Sequence, residues 1–175
     1  FDEYVFLPVV EGYEAVMPDF FEDRISNFFS NIADIRNLIN AMLQLKGEAT
    51  LNTLGRFLIN CTFGLGGFFD HANPLGLLQQ TEDFGQTLGH YGLNPGAYVV
   101  LPIFGPSSIR DTTGLLTDSA ASIFYLYTPL HLNHHFERSV PFSLTWGVDM
   151  RHQLGFRYYQ TGSPFEYDLI RFLYT

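Results

Sequence analysis

PDFFEDRISNFFSNIADIRNLINAML, residues 18 to 43, decides the fold class, because its apolar side chains recur at helical rather than strand spacing. Pro18-Asp19-Phe-Phe-Glu22 sets an Asp at a capping position with a Glu three residues on. It opens the apolar series Phe21, Ile25, Phe28, Phe29 and Ile32. Asp34 is expected to cap a second helix, whose apolar positions Ile35, Leu38, Ile39, Met42 and Leu43 keep the same period. Gly47 stands where a C-terminal glycine belongs, and a third helix is expected from Glu48 to about Cys61.

Outward from this stretch the pattern changes. Glycines recur at positions 64, 66, 67, 76, 85, 89, 92, 96 and 105, interleaved with Phe, Leu and Tyr. Linkers are polar, so this apolar glycine-rich centre points to close packing and tight turns. Ala97-Tyr-Val-Val-Leu-Pro-Ile-Phe104 allows a strand, though Pro102 argues against a central one. Ser108-Ile-Arg-Asp111 has capping-box spacing and should open a helix reaching about Tyr127, with a small face at Ala120, Ala121 and Ser122. Thr128 to Ser143 reads as a loop, Leu144 to Tyr159 as a helix, and Ser163-Pro164-Phe-Glu166 as the start of a last one. The expected fold is one all-α domain over residues 1–175 with an irregular glycine-rich centre.

Composition sets the function classes aside in turn. Of 175 residues, 15% are charged, against roughly one quarter in an ordinary soluble domain. Aromatics reach 17%, with 18 Phe and 10 Tyr, more apolar surface than a water-facing protein of this size needs. Eighteen acids face 9 bases, and no cationic cluster offers a phosphate-backbone footprint, so nucleic acid is not an expected partner. The one lysine, Lys46, is followed by Gly47 and Glu48, which rules out a P-loop. The one cysteine, Cys61, sits in an apolar run where a buried, inert thiol is expected. The longest apolar run, Ala97 to Phe104, is far short of the roughly 20 residues of a spanning helix.

Local chemistry is sparse. His131, His134 and His135 cluster without an acidic or Cys partner at ligand spacing, so a solvated loop is favoured over a metal site. Gly64-Leu-Gly66-Gly67 lacks the third glycine of a dinucleotide loop, position 69 being Phe. Glu82-Asp83 and Arg110-Asp111 read as a helix cap, a surface acid pair and a short-range ion pair rather than as catalysts. No covalent chemistry, cofactor or metal is expected.

Longer motifs carry a resemblance. Thr81-Glu-Asp-Phe-Gly-Gln-Thr-Leu-Gly-His-Tyr-Gly92 continues to Gly96-Ala-Tyr98, Leu101-Pro102, Gly105-Pro106-Ser107, Arg110-Asp111 and Gly114. With Ser26-Asn27-Phe28, Gly55-Arg56-Phe57-Leu58-Ile-Asn60, Gly64, Gly67, Asp70, Arg151-His-Gln-Leu154 and Ser163-Pro164-Phe-Glu-Tyr167, it resembles the MlaA (VacJ) lipoprotein family over nearly the whole chain.

The resemblance implies a ring- or disc-like set of amphipathic helices in the periplasmic leaflet of the Gram-negative outer membrane. It implies a lipidated N-terminal Cys that is not in this chain, a trimeric porin partner, and a soluble periplasmic carrier that receives the phospholipids. The expected function is removal of mislocalised phospholipids from the outer leaflet without enzymatic chemistry. The stretch from about Ala121 to Ser143 does not match the family pattern, nor does a polar tail follow Thr175. Asn27 and Phe28 are expected at the lipid passage or on its supporting helix. Gly92 to Gly105 is expected to form a mobile hairpin containing Tyr98, with Gly92, Gly96 and Gly105 as hinges. Arg110 and Asp111 are expected at the polar side or as a cap. Two alternatives stay open: a phospholipid-modifying enzyme and a porin-binding scaffold that moves nothing.

Overall fold

The computed structural model describes residues 8–9, 11–12, 17–101, 105–128 and 136–153. Helix α1 (Asp19–Leu43) is followed after a three-residue connection by α2 (Gly47–Thr62). A 3₁₀ turn (Asn73–Leu75) leads to α3 (Phe84–His90). Strands β1 (Tyr98–Leu101) and β2 (Gly105–Ser108) form an antiparallel pair with Tyr98 opposite Ser108. Helix α4 (Ile109–Ser122) runs on into a π-helical turn (Ile123–Tyr127), and α5 (Phe136–Gln153) follows. The protein is mostly helical, as its apolar periodicity implies.

Helix α1 is one uninterrupted element of 25 residues, not two. Asp34 caps nothing; it is fully buried in mid-helix, and its carboxylate goes to α2 rather than to local backbone. Asp19 is not the cap either. Pro18 precedes the helix in extended geometry, and its carbonyl accepts from the backbone of Phe21 at 2.7 Å. The other end of α1 closes without glycine. Leu45 takes the left-handed conformation (φ 56°), with Lys46 N–H donating to Ala41 and Leu45 N–H to Met42, both at 3.0 Å. Gly47 is instead the first residue of α2.

Helices α1 and α2 pack side by side and antiparallel, since Asn31 meets Cys61 and Asp34 meets Arg56. Cys61 is half-buried and accepts from the Asn31 amide, not sealed in a core. Helices α3 and α4 approach through glycine: a Cβ on Gly114 would lie 2.3 Å from the Gly85 nitrogen. Asp83 caps α3 by accepting from Gln86 N–H, and Ser108 caps α4 by accepting from Asp111 N–H, the latter as the capping-box spacing requires. Proline is tolerated in the β pair because a two-stranded sheet has only edge strands.

Among the described residues the apolar core is small. Phe29, Ile32 and Leu126 are buried, with Ile25, Phe28, Tyr125, Tyr127, Phe142 and Trp146 around them. The Phe29 ring stacks on Trp146 at 5.9 Å and meets Phe142 edge-on at 5.5 Å, tying α1 to α5. Residues 136–143 are helical rather than loop, Pro141 included. His131, His134, His135 and the expected last helix lie outside the described residues.

Two glycines, one packed and one open, predict opposite signs. Gly114→Ala forces α3 and α4 apart and should cost about 2 kcal/mol by overpacking. Gly147, in α5, is open: a Cβ there would meet nothing within 4 Å, so Gly147→Ala should stabilise by up to about 1 kcal/mol. Urea unfolding of both variants reads the difference.

Candidate functional site

The interior of the α1–α2 pair is polar. On α1, Asp34, Asn37, Asn40 and Gln44 are buried at helical spacing, and on α2 Thr53, Arg56 and Asn60 are buried opposite them. The outward faces carry Ile39, Met42 and Leu43 on α1 and Leu51, Leu54 and Leu58 on α2, all exposed. This inverts the usual amphipathic helix, whose apolar stripe faces the core. A solvated face is the default reading of carboxamides at that spacing, so the sequence alone does not tell which stripe turns inward.

Arg56 anchors the buried stripe. Its Nε lies 3.3 Å from the Asp34 carboxylate and its Nη2 lies 3.1 Å from that of Asp70. Its Nη1 donates to the Leu77 carbonyl at 2.6 Å. Asn60 donates to Asp70 at 3.0 Å and accepts from the backbone N–H groups of His71 and Ala72. Gln79 and Asn37 both donate to Asp34. The segment from Asp70 to Gln79 is thereby held to the helices by polar bonds.

The network continues along α1. Asn37 accepts from Glu82 N–H; Gln44 donates to the Glu82 carboxylate at 2.9 Å, and Lys46 pairs with it at 2.7 Å. Glu82 is therefore buried, not part of a surface acid pair. Thr87 donates to Asn40, and Asn40 donates to Asp118, whose other oxygen accepts from Phe84 N–H. One chain of bonds thus joins α1, α2, α3 and α4.

Burial pushes the Asp34 carboxyl above its ordinary range, against the pull of Gln79, Arg56 and Asn37. Burial acts the same way on Asp70, but there the bonds from Asn60, Asn73 N–H and Arg56 outweigh it, and its pKa is lowered.

The expected passage residues fall into two groups. Asn27 donates to the Phe68 carbonyl at 3.4 Å, and the Phe28 ring stacks on Phe68 at 4.9 Å, so both are held by the loop after α2. The other group is spread along the chain from the end of α3, through the β pair, to the start of α4. Gly92 and Gly96 have φ of 87° and 76°, which favours glycine at both. Tyr98 begins β1 and Gly105 begins β2. Arg110 N–H donates to the Pro95 carbonyl, and its guanidinium pairs with Asp111 at 2.9 Å, the short-range ion pair read from the sequence. The buried stripe itself was missed as a site. Its signal was there, in carboxylate and amide side chains at helical spacing.

Among the described residues no group of His, Cys, Asp and Glu could hold a metal, and no helix is long and apolar enough to cross a membrane.

A family model described as MlaA lipoprotein matches residues 1–175. A protein of Rickettsia prowazekii is 40% identical over 128 residues, covering 73% of this chain and 51% of that protein. The intermembrane phospholipid transport system lipoprotein MlaA of Haemophilus influenzae is 33% identical over 128 residues, 72% of this chain and 50% of that protein. The chain thus spans about half the length of the curated relatives it matches. It also superposes, with a TM-score of 0.76 and 29% identity, on a structure solved in work on the structural basis for maintenance of bacterial outer membrane lipid asymmetry, covering 98% of this chain and 85% of that one.

Two variants test the network. Arg56→Met leaves Asp34 buried without its cation and should destabilise by about 3–5 kcal/mol in urea. Asp70 has a depressed pKa, so its contribution is present above the unfolded value near 4 and is lost as pH falls through the folded value. The stability gap between wild type and Asp70→Asn should therefore be widest near neutrality and shrink in acid; a gap that stays constant down to low pH argues against the role given to Asp70.

Proposed function

The chain belongs to the MlaA lipoprotein family, and from that premise we propose that it is a non-enzymatic passage for phospholipids in the outer membrane. It takes mislocalised phospholipids from the outer leaflet and delivers them to a soluble periplasmic lipid carrier, which maintains lipid asymmetry. It sits in the periplasmic leaflet as a ring or disc beside a trimeric porin, anchored by an N-terminal lipid.

The observation that carries this reading is the inverted distribution of side chains. Moving a phospholipid between leaflets is costly because its charged headgroup must avoid hydrocarbon. Helices that keep Asp34, Asn37, Asn40 and Arg56 inside and Met42, Leu51 and Leu58 outside suit that task. Their outer faces can lie among acyl chains while polar groups stay away from lipid. Two sets of residues are assigned to the passage. Asn27 and Phe28 stand at or beside it, on the helix that supports it. The hairpin from Gly92 to Gly105, with Tyr98, acts as a gate hinged at Gly92, Gly96 and Gly105, and Arg110 and Asp111 line the polar side. Flow follows lipid gradients and carrier affinity, because the chain has no nucleotide-binding motif to drive it.

Transfer of labelled phospholipid to a soluble acceptor, from vesicles holding this protein and a porin, tests the reading. Protein-dependent transfer of intact lipid is expected, with Gly96→Trp slowing it by about ten-fold as a blocked gate does. Recovered lysolipid or fatty acid would make the protein an enzyme, and no transfer would make it a scaffold.

A further inference from the structure

Arg24 is held unlike Arg56 of the buried network and Arg110 at the start of α4. Arg56 and Arg110 lie against carboxylates, whereas the Arg24 guanidinium carbon stands 4.7 Å from the centroid of the Phe20 ring and 4.5 Å from that of Phe69. Phe20 lies one turn back on α1, and Phe69 comes from the loop after α2. Glu22 and Asp23 precede Arg24 in the chain, but positions one and two apart on a helix do not face each other. No carboxylate of the described residues pairs with Arg24, and its Nε is buried without an acceptor.

Aromatic rings attract a guanidinium but offer it no lone pairs, so its N–H donors remain to be satisfied. The surroundings narrow the choice of acceptor. Phe20, Phe21 and Phe68 are all exposed at this end of the molecule. Exposed aromatics beside an arginine suit the boundary of a bilayer, where ring and cation meet hydrocarbon on one side and headgroups on the other. The acceptor there is a phosphodiester, which a guanidinium can bind through two oxygens at once. With a net charge of −9 the chain has no general attraction for anionic surfaces, so the contact has to be local.

We propose that Arg24, clamped by Phe20 and Phe69, binds the phosphate of a membrane phospholipid headgroup and fixes how deep this end of α1 sits in the leaflet. The inference rests on the membrane location proposed above.

Flotation of the protein with vesicles tests it, comparing phosphatidylethanolamine–phosphatidylcholine vesicles with galactolipid vesicles of matched acyl chains that carry no phosphate. Wild type should partition about ten-fold more strongly onto the phospholipid vesicles, as one bidentate charge-assisted contact provides. Arg24→Gln should lose that preference and Arg24→Lys keep part of it. Phe69→Leu, which retains the charge and removes one ring, should weaken it. Excess inorganic phosphate should leave the preference intact; if it abolishes the preference, the residue binds free anions and the lipid assignment falls. Failure of wild type to bind either vesicle would overturn the membrane location itself. Equal binding of wild type to both, or an undiminished preference in folded Arg24→Gln, leaves that location standing and overturns the role of Arg24.

Discussion

A guanidinium buried between two carboxylates sets the terms for the rest of the molecule. Arg56 is 3% exposed, yet it joins Asp34 of α1, Asp70 of the following loop and the Leu77 carbonyl. Removing ions from water carries a penalty of several kcal/mol each, which attraction offsets only when geometry and further hydrogen bonds are good. Here Gln79, Asn37 and Asn60 supply those further bonds. The segment from Asp70 to Gln79 contributes little to the apolar core, Ala72 being its buried hydrophobic residue. Its position therefore depends on this cluster more than on packing.

A polar interior constrains the exterior. Helices α1 and α2 each present one stripe to the other, and those stripes hold amides, hydroxyls and charges, so Ile39, Met42, Leu43, Leu51, Leu54 and Leu58 are left facing outward. Each leucine or phenylalanine left exposed forgoes about 1.5–3 kcal/mol relative to full burial. In water that loss is uncompensated, and large exposed apolar patches mark interaction sites. In the membrane setting proposed above the conflict disappears, because acyl chains would accept the outer faces while the inner network satisfies the polar groups. The small cluster around Phe29, Leu126 and Trp146 then only has to tie α1 to the later helices.

Periodicity made the long helices legible, and the cap at Ser108 could be read locally because a cap needs only its own next turn, whereas the short α3 fell within the glycine-rich stretch read as irregular. Asp34 and Glu82 were misread for the converse reason. An Asp before an apolar series and an acidic pair in a loop both look local, but their partners are Arg56, 22 residues away, and Gln44, 38 residues away. Helical spacing identifies two faces without saying which turns inward; that choice depends on the solvent around the protein. Gly47 misled in the same way, since a glycine just past a helix suggests a cap until the left-handed conformation is found two residues earlier, at Leu45. Gly92 and Gly96 stand out in the sequence, and their backbone angles give a physical reason for glycine at each.

Leu45 and Leu65 show the same conflict between backbone and surroundings. Both have positive φ, 56° and 52°, in a region that disfavours side chains by about 1–2 kcal/mol. Both are largely exposed, at 82% and 70%. In water neither leucine gains anything to offset its backbone strain, and glycine would serve better at each position. Surrounded by acyl chains, a leucine recovers about 1.5–3 kcal/mol, enough to outweigh the strain. The two residues follow the C-terminal ends of antiparallel helices, so they mark opposite ends of the α1–α2 pair. In the membrane setting proposed above, lipid contact at both ends would suit a pair lying along the membrane plane, the orientation in which its aliphatic face would meet acyl chains over its whole length.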